Sequence, residues 1–425
     1  VARAAAVAGR RGAGPADSLV HASALLQLGD ARTARGEQRP ALAGYQAALA
    51  IVGAIPTTDS LATSTWRIRH LARSRAGDAW SALGRSDSAD AAHRTALAVA
   101  DTLVRADERN AQFRAYRATA LDRVADAEYA AGRVEASCVG YRAGLAERRR
   151  AVALAPAEAA QQRSLSISLQ NVGWCADQEG ATARTLALYG EGIAIQRRLL
   201  AADPSNVLLA TSLVGGVAEL AGVLRRTGRV GEAVVRYGEA VAIGEEVRAR
   251  AVAAVGRPDP RLSAKTASAA ELLAAARLAR GDLPGAARSL ALAEARLREA
   301  LAPDPSNAEH LRLLVDVLGS AGKVAERRGD LPGAVARHDA AVATAQRLAA
   351  RTGDSLDGQA LALAEHRLAV ALVTAGDRSR AVTTLRAARE RLRGLRAAGR
   401  LSDASDGWRR YLPAIERSLG ELGTE

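Results

Sequence analysis

A glycine recurs along this chain at a nearly constant interval. Successive copies are separated by 48, 48, 48, 48, 53, 48 and 47 residues, and the hexapeptide GDLPGA occurs at 281–286 and again at 329–334. Self-similarity at a fixed period predicts a stack of one supersecondary unit, in which each unit contacts only its neighbours. The chain of 425 residues therefore does not need a single large globular core. The recurring residues are Gly36, Gly84, Gly132, Gly180, Gly228, Gly281, Gly329 and Gly376.

Each of these glycines has neighbours of the same size at the same offsets. A small residue lies seven positions before it, and further small residues lie five and twelve positions after it. A bulky residue follows it by nine positions in every copy: Tyr45, His93, Tyr141, Tyr189, Tyr237, Leu290, His338 and Leu385. This alternation of small and large residues predicts two antiparallel helices that pack closely beside a corner.

The residues around the glycine predict how the corner is built. A glycine can adopt the left-handed conformation that ends helix A of the unit. Asp282 and Asp330 can then cap helix B, and Pro284 and Pro332 fit its first turn, where no backbone donor is lost. The sequence DPSN, at 203–206 and 304–307, links one unit to the next, because proline ends a helix and serine or asparagine restarts one.

Composition argues against several classes of protein. Hydrophobic residues make up 48% of the chain but aromatic residues only 3%, a mixture that favours closely packed helices. The net charge is +13, yet only Lys265 and Lys323 are lysines, a bias typical of a GC-rich genome. We therefore do not expect nucleic acid as a partner, and the basic run Arg148–Arg150 is interpreted as a solvated outer helix face. Aromatic platforms for bases are scarce.

Two cysteines, Cys138 and Cys175, form no CxxC motif. We interpret them as buried thiols on neighbouring helices, which fits a reducing compartment and predicts a cytoplasmic location in a bacterium.

The longest uncharged run, Pro40–Thr58, is interpreted as a buried helix because it holds Gln46 and prolines, so no membrane span is expected in this chain. A start at Val1 suggests a fragment, whose parent protein could be anchored in a membrane.

The offsets resemble those of the tetratricopeptide repeat (TPR), best seen in LGDARTARGEQRPALAGYQAAL at 28–49. The period is longer than the usual ~34 residues. The resemblance implies an all-α, right-handed α-solenoid of about eight hairpins.

Residues 1–17 are expected to be disordered, 18–398 to form the solenoid and 399–425 a capping helix, with Trp408, Tyr411, Leu412 and Ile415 covering the end. Repeats are placed at about 18–56, 60–105, 110–155, 159–202, 206–255, 262–301, 307–351 and 357–397. The 53-residue interval predicts a longer loop at Arg257–Lys265.

Sequence motifs for catalysis do not occur. The chain has no GxxxxGK[ST] phosphate loop, no GxSxG elbow and no HExxH zinc motif. Its six histidines are scattered, and His93 and His338 occupy the bulky core position. We therefore expect no catalytic residue, no cofactor and no metal.

By the TPR pattern, one residue of each A helix faces a concave groove that binds a protein or peptide partner. In the first three repeats that residue is Asp30, Asp78 and Asp126, a candidate acidic ladder. The fourth repeat adds Gln170, Asn171, Trp174 and Asp177, polar residues around an aromatic, which is the composition of an interaction hot spot. The alternative is that these are ordinary solvated faces and that Trp174 packs between helices.

The long unit, the DPSN links and the GDLPGA corners also resemble the C-terminal TPR region of bacterial serine/threonine protein kinases. No DFG and no HRD motif occurs, so this resemblance implies a non-catalytic docking or sensory region and not a kinase domain. The expected function is a protein–protein interaction scaffold in signal transduction. A peptide- or ligand-sensing module of a transcriptional regulator is the alternative.

Overall fold

The structure is a computed structural model that describes residues 14–57 and 61–423. Within these ranges the chain forms seventeen α-helices and no strand. The helices are α1 (Pro15–Ala34), α2 (Gln38–Gly53), α3 (Ala62–Ala82), α4 (Ser86–Ala106), α5 (Ala111–Ala130), α6 (Val134–Leu154), α7 (Ala159–Gln178), α8 (Thr182–Ala202), α9 (Val207–Arg226), α10 (Val230–Val255), α11 (Pro260–Ala279), α12 (Leu283–Leu301), α13 (Ala308–Arg327), α14 (Leu331–Thr352), α15 (Ser355–Thr374), α16 (Arg378–Ala397) and α17 (Leu412–Glu421).

The helices alternate between the predicted A and B types, with odd numbers as A helices and even numbers as B helices up to α16. The chain divides into two compact units, residues 1–195 and 196–425, and the division falls within α8. In the first unit, α1/α2, α3/α4 and α5/α6 pack as hairpins. In the second unit, α9/α10, α11/α12, α13/α14 and α15/α16 do the same. The helical-hairpin repeat predicted from the glycine period is confirmed.

All eight recurring glycines stand at the end of an A helix with a positive φ, between 72° and 90°. A side chain at such a φ would strain the backbone, so glycine is the residue that this corner requires. After two of the corners, the Asp282 and Asp330 carboxylates accept hydrogen bonds from the main-chain N–H of Gly285 and Gly333, at 2.8 and 2.9 Å. The predicted caps of the B helices are thereby confirmed.

Asparagine restarts the A helices that follow the DPSN links. Asn206 Oδ1 accepts from Leu209 N and Asn307 Oδ1 accepts from His310 N, both at 3.0 Å. These bonds satisfy donors that lack an intrahelical partner at the start of a helix.

The small and bulky positions of a unit meet inside its hairpin. A Cβ atom on Gly29 would lie 2.4 Å from the Tyr45 ring, and one on Gly77 would lie 2.4 Å from the His93 ring. Tyr45 and His93 are buried, as are the residues at the other six bulky positions. The close approach of helices A and B therefore depends on glycine or alanine beside each large side chain.

Three sequence expectations need correction. The 53-residue interval does not lengthen the loop, because α10 continues to Val255 and only Gly256–Asp259 separates it from α11. The N-terminal segment is helical from Pro15, whereas residues 1–13 of the expected disordered tail lie outside the described residues. The C-terminal cap begins as a π-helical turn at Gly407–Tyr411 and continues as α17, which makes it shorter than expected.

The cap nevertheless covers the apolar end of the second unit. Leu412 and Ile415 are buried against Leu385 and Leu392 of α16, with Trp408 and Tyr411 half-buried beside them. This contact matches the predicted role of the four cap residues, since an end repeat must be shielded from water.

Candidate functional site

The three aspartates of the candidate ladder lie at equivalent positions on α1, α3 and α5, in the first unit. Their side chains are 40%, 45% and 47% exposed for Asp30, Asp78 and Asp126. Each carboxylate also faces the bulky residue of its own hairpin. Tyr45 Oη donates to Asp30 Oδ1 at 3.0 Å and Tyr141 Oη donates to Asp126 Oδ1 at 2.6 Å. The carboxylates thus help to hold the helix B ring in place.

Burial is the main cause of the pKa shifts in these rings. It raises the pKa of Tyr45 and of Tyr141, and the hydrogen-bonded carboxylate raises each further. His93, at the same position of the second repeat, has a pKa lowered by burial, and its Nε2 lies 3.8 Å from Asp78 Oδ1. All three rings are therefore neutral at physiological pH.

Arginines from the following A helices pair with two of the carboxylates. Arg75 Nε lies 2.8 Å from Asp30 Oδ1, and Arg123 Nε lies 2.9 Å from Asp78 Oδ1. Both pairs span 45 residues of sequence, and the residue at this spacing from Asp126 is Asn171. The face accordingly carries alternating charges on α1, α3 and α5 instead of an unpaired acidic row.

The fourth repeat places its four predicted residues on α7. Trp174 is half-buried, and its ring meets that of Tyr129 on α5 edge-on, with centroids 5.1 Å apart. Gln170 Nε2 is buried and has no hydrogen-bond partner among the described residues, while Asn171 and Asp177 are half-buried. Trp174 therefore joins two neighbouring A helices, as the packing alternative supposes, and still presents part of its surface.

A cleft of about 330 Å³ crosses the same face between α3, α5 and α7. It shares Arg75 and Asp78 with the ladder, so both features belong to one surface of the first unit. Its other lining residues include His70, Ser74, Gln112, Tyr116, Thr119, Arg148, Glu158, Gln161 and Ser164. Apart from Arg148, sequence reasoning missed these residues because their types change from repeat to repeat, and no periodic signal marks them.

Two buried basic side chains, those of His70 and Arg148, line the cleft. His70 Nδ1 lies 3.0 Å from Ala96 O and must carry its proton there, since a carbonyl only accepts. Burial lowers the pKa of His70, and its ring stacks on Tyr116 with centroids 4.7 Å apart. Arg148 donates to Thr119 Oγ1 at 3.2 Å and to Asp122 Oδ2 at 3.1 Å.

The position of Arg148 corrects the interpretation of Arg148–Arg150 as a solvated face. Arg148 is only 5% exposed, because α6 packs this side of its helix against α5. Arg149 is exposed and pairs with Glu191 at 2.7 Å, and Arg150 pairs with the buried carboxylate of Glu147. One residue of the run thus forms part of the cleft, and the other two stabilise the helix surface.

The two cysteines form a disulfide bond between α6 and α7. This finding overturns the expectation of free thiols. The facing helices had been correctly identified, and a Cα–Cα distance of 5.6 Å brings the two side chains within bonding range. The bond fixes the third hairpin to the A helix that carries Gln170 and Trp174.

No group of three or more His, Cys, Asp or Glu side chains in residues 14–57 and 61–423 is arranged to hold a metal ion. One described helix, α9, has the length and composition of a membrane span, but 61% of that window is buried inside the protein. The uncharged run Pro40–Thr58 forms α2 over most of its length, with Leu42 and Val52 buried.

No protein-family model and no curated protein matches the chain. Several solved structures, however, match the chain. The apo form of RapI is 10% identical, and the match covers 95% of this chain and 99% of RapI with a TM-score of 0.53. A signal transduction ATPase from Pyrococcus horikoshii with a tetratricopeptide repeat sensor is 12% identical over 92% of this chain and 54% of its own, with a TM-score of 0.54. The nuclear import adaptor Nro1 of S. pombe is 14% identical over 73% and 100%, with a TM-score of 0.51.

At these identities the likeness concerns the fold. Together with the eight glycine corners, it shows that the chain has the tandem helical-hairpin fold of TPR proteins, as the resemblance in the sequence implied. A link to protein kinases is not among these findings and rests on the sequence resemblance.

Proposed function

We propose that this chain is a non-catalytic protein-interaction scaffold and that the A-helix face of the first unit binds a segment of a partner protein. The observation that carries the proposal is the cleft across α3, α5 and α7, because one open surface there presents groups from three successive repeats. A segment lying across it can contact several helices at once. The half-exposed carboxylates of Asp30, Asp78 and Asp126 border the same surface.

The names of two structural relatives support such a role. One carries a repeat sensor within a signal transduction ATPase, and another is an import adaptor. We propose further that the chain is the docking or sensory region of a bacterial signalling protein such as a serine/threonine kinase. The complete coding sequence tests this step, since a kinase domain encoded upstream supports it and an encoded DNA-binding domain favours a transcriptional regulator.

Location in the bacterial cytoplasm remains a prediction. Its argument from free thiols no longer holds, because Cys138 and Cys175 are bonded and disulfides are typical of oxidising compartments. Counting the free thiols of the protein isolated from its own cells shows whether the disulfide forms where the protein resides.

Site-specific photo-crosslinking tests the binding face. Ser74, inside the cleft, is replaced by p-benzoylphenylalanine, and the matched control carries the same group at Val139, an exposed residue of α6 outside the cleft. We expect a defined protein segment to crosslink at position 74 and not at position 139. That segment, made as a synthetic peptide, should then bind the unmodified chain and suppress the crosslink. Equal labelling at both positions would refute the proposed face.

A further inference from the structure

One polar side chain in the cleft has no hydrogen-bonding role within the protein. Gln161, in the first turn of α7, is 4% exposed, and its amide makes no hydrogen bond with any described residue. Neither amide atom of Gln161 is completely buried, so the carboxamide reaches the cleft and its donor and acceptor are open to whatever fills it. Such a group at the wall of an open cleft is therefore suited to a ligand that supplies the missing bonds.

The charges around Gln161 are balanced. The charged lining residues are two arginines, Arg75 and Arg148, and two acids, Asp78 and Glu158. Three of the four already have partners, since Arg75 pairs with Asp30, Asp78 with Arg123 and Arg148 with Asp122. His70 adds no charge, because burial lowers its pKa. Glu158, the fourth, is exposed to solvent, where an ion pair contributes little, so a charged ligand group would gain little here and would lose its hydration.

Neutral hydrogen-bonding groups make up most of the remaining lining. Ser74, Thr119 and Ser164 contribute hydroxyl groups, and Gln112 contributes a second carboxamide. The stacked pair of His70 and Tyr116 contributes a flat aromatic wall. The first turn of α7 also begins without a side-chain cap, so its main-chain N–H groups need acceptors.

We infer that the cleft recognises an uncharged amide, to which the Gln161 carboxamide donates one hydrogen bond while it accepts another. A carboxamide both donates and accepts, and so it matches a second amide group better than a carboxylate or an ammonium group. The amide belongs to an Asn or Gln side chain of the bound segment, since main-chain amides are common to all segments and would give the cleft no preference. This inference rests on the proposed function and specifies the chemistry of the bound segment.

Fluorescence anisotropy with short labelled peptides tests it on the full chain. The peptides share an alanine–serine background and differ in two central residues: Gln-Asn, Ala-Ala, Leu-Val, Glu-Asp or Lys-Lys. We expect the Gln-Asn peptide to bind about tenfold more tightly than either charged peptide. A carboxylate only accepts hydrogen bonds and an ammonium group only donates them, so either would leave one half of the Gln161 amide unpaired. The Gln-Asn peptide should also bind more tightly than the Ala-Ala peptide, and equal binding of these two would contradict recognition of a side-chain amide.

Variants of Gln161 test whether this residue causes the preference for the Gln-Asn peptide. Gln161→Leu should remove the preference, and Gln161→Glu, which keeps the shape and removes the donor, should do so as well. Gln178→Leu, at the exposed end of the same helix, should leave the preference unchanged. The inference is overturned if a charged peptide binds best, if the Gln161 variants keep the preference, or if no peptide binds below ~1 mM. Crosslinking at position 74 would still stand in those cases, so failure here is separable from failure of the proposed function.

Discussion

The ring of Tyr45 occupies the space in front of Gly29, where a Cβ atom would stand 2.4 Å from Tyr45 Cε1. Gly29→Ala should therefore force helices α1 and α2 apart. Overpacking of this kind costs about 1–3 kcal/mol, and we expect the free energy of unfolding to fall by that amount. Urea denaturation followed by circular dichroism measures the change.

Gly190→Ala is the matched control for this substitution. Gly190 lies inside α8, and a Cβ atom there would meet nothing within 4 Å. Alanine at an uncrowded helix position should stabilise the protein by about 0.5–1 kcal/mol. If both variants shift the unfolding midpoint in the same direction, the packing of Tyr45 against Gly29 does not limit stability.

The contact between Gly29 and Tyr45 shows why the fold could be predicted from the sequence. A corner glycine, a small contact residue and a bulky contact residue recur in every unit, because each hairpin solves the same packing problem. The extra residues of the 53-residue interval could not be placed, since a longer loop and a longer helix have the same length in sequence. The structure adds them to α10, which has 26 residues where α6 has 21.

The site was harder to predict for a physical reason. The ladder positions follow from the period, but the partners of their carboxylates depend on which A helix lies alongside. The 45-residue spacing of Asp30 to Arg75 and of Asp78 to Arg123 was present in the sequence and could have revealed the ion pairs. Gln161 and Tyr116 have no such signal, because the cleft combines unrelated positions of three repeats.

The disulfide bond should contribute measurably to the stability of the first unit. Cys138 and Cys175 are separated by 37 residues, and closing a loop of that length removes chain entropy worth about 4 kcal/mol from the unfolded state. We expect the double variant Cys138→Ala/Cys175→Ala to lose up to about that amount. A reductant should destabilise the wild-type protein in denaturation experiments and leave the double variant unchanged. Two free thiols in the unreduced, denatured protein would show that the bond does not form.

Asp122 should make stability depend on pH. Burial raises its pKa to about 6, against the pull of Arg148, whose Nη2 lies 3.1 Å from Asp122 Oδ2. Because the folded pKa lies above the unfolded value of about 3.9, the stabilising contribution of the protonated carboxyl is complete below pH ~4 and is lost as the pH rises through about 6. The shift corresponds to about 3 kcal/mol at most.

The comparison variant is Asp122→Asn, which does not titrate. We expect the unfolding free energy of the wild type to decrease relative to that of the variant between pH 4 and pH 7, as measured by urea denaturation at each pH. Parallel pH profiles for the two proteins would contradict a raised pKa at Asp122.

The ion pair between Asp78 and Arg123 should be weak in energetic terms. Its side chains are 45% and 43% exposed, and pairs of such exposure contribute about 0.2–1 kcal/mol. A double-mutant cycle with Asp78→Asn and Arg123→Gln measures the coupling directly. A coupling well above this range would mean that the pair fixes α3 against α5 and cannot open for a ligand.

A weak pair leaves the carboxylates available to a partner, which is why the ladder can be tested by charge reversal. Arginine at positions 30, 78 and 126 should weaken binding of the crosslinked partner segment by at least about tenfold, since the reversed charges would repel the cationic groups that the carboxylates attract. The matched control reverses Asp90, Glu179 and Glu191, which are also half-exposed and paired with arginines, namely Arg94, Arg142 and Arg149. The ladder variant also loses the hydrogen bonds from Tyr45 and Tyr141, so its stability should fall further than that of the control, and binding is compared at a temperature where both variants are folded. If the two variants bind the segment equally, the three aspartates are structural residues that hold Tyr45, His93 and Tyr141, and the partner contacts the cleft without them.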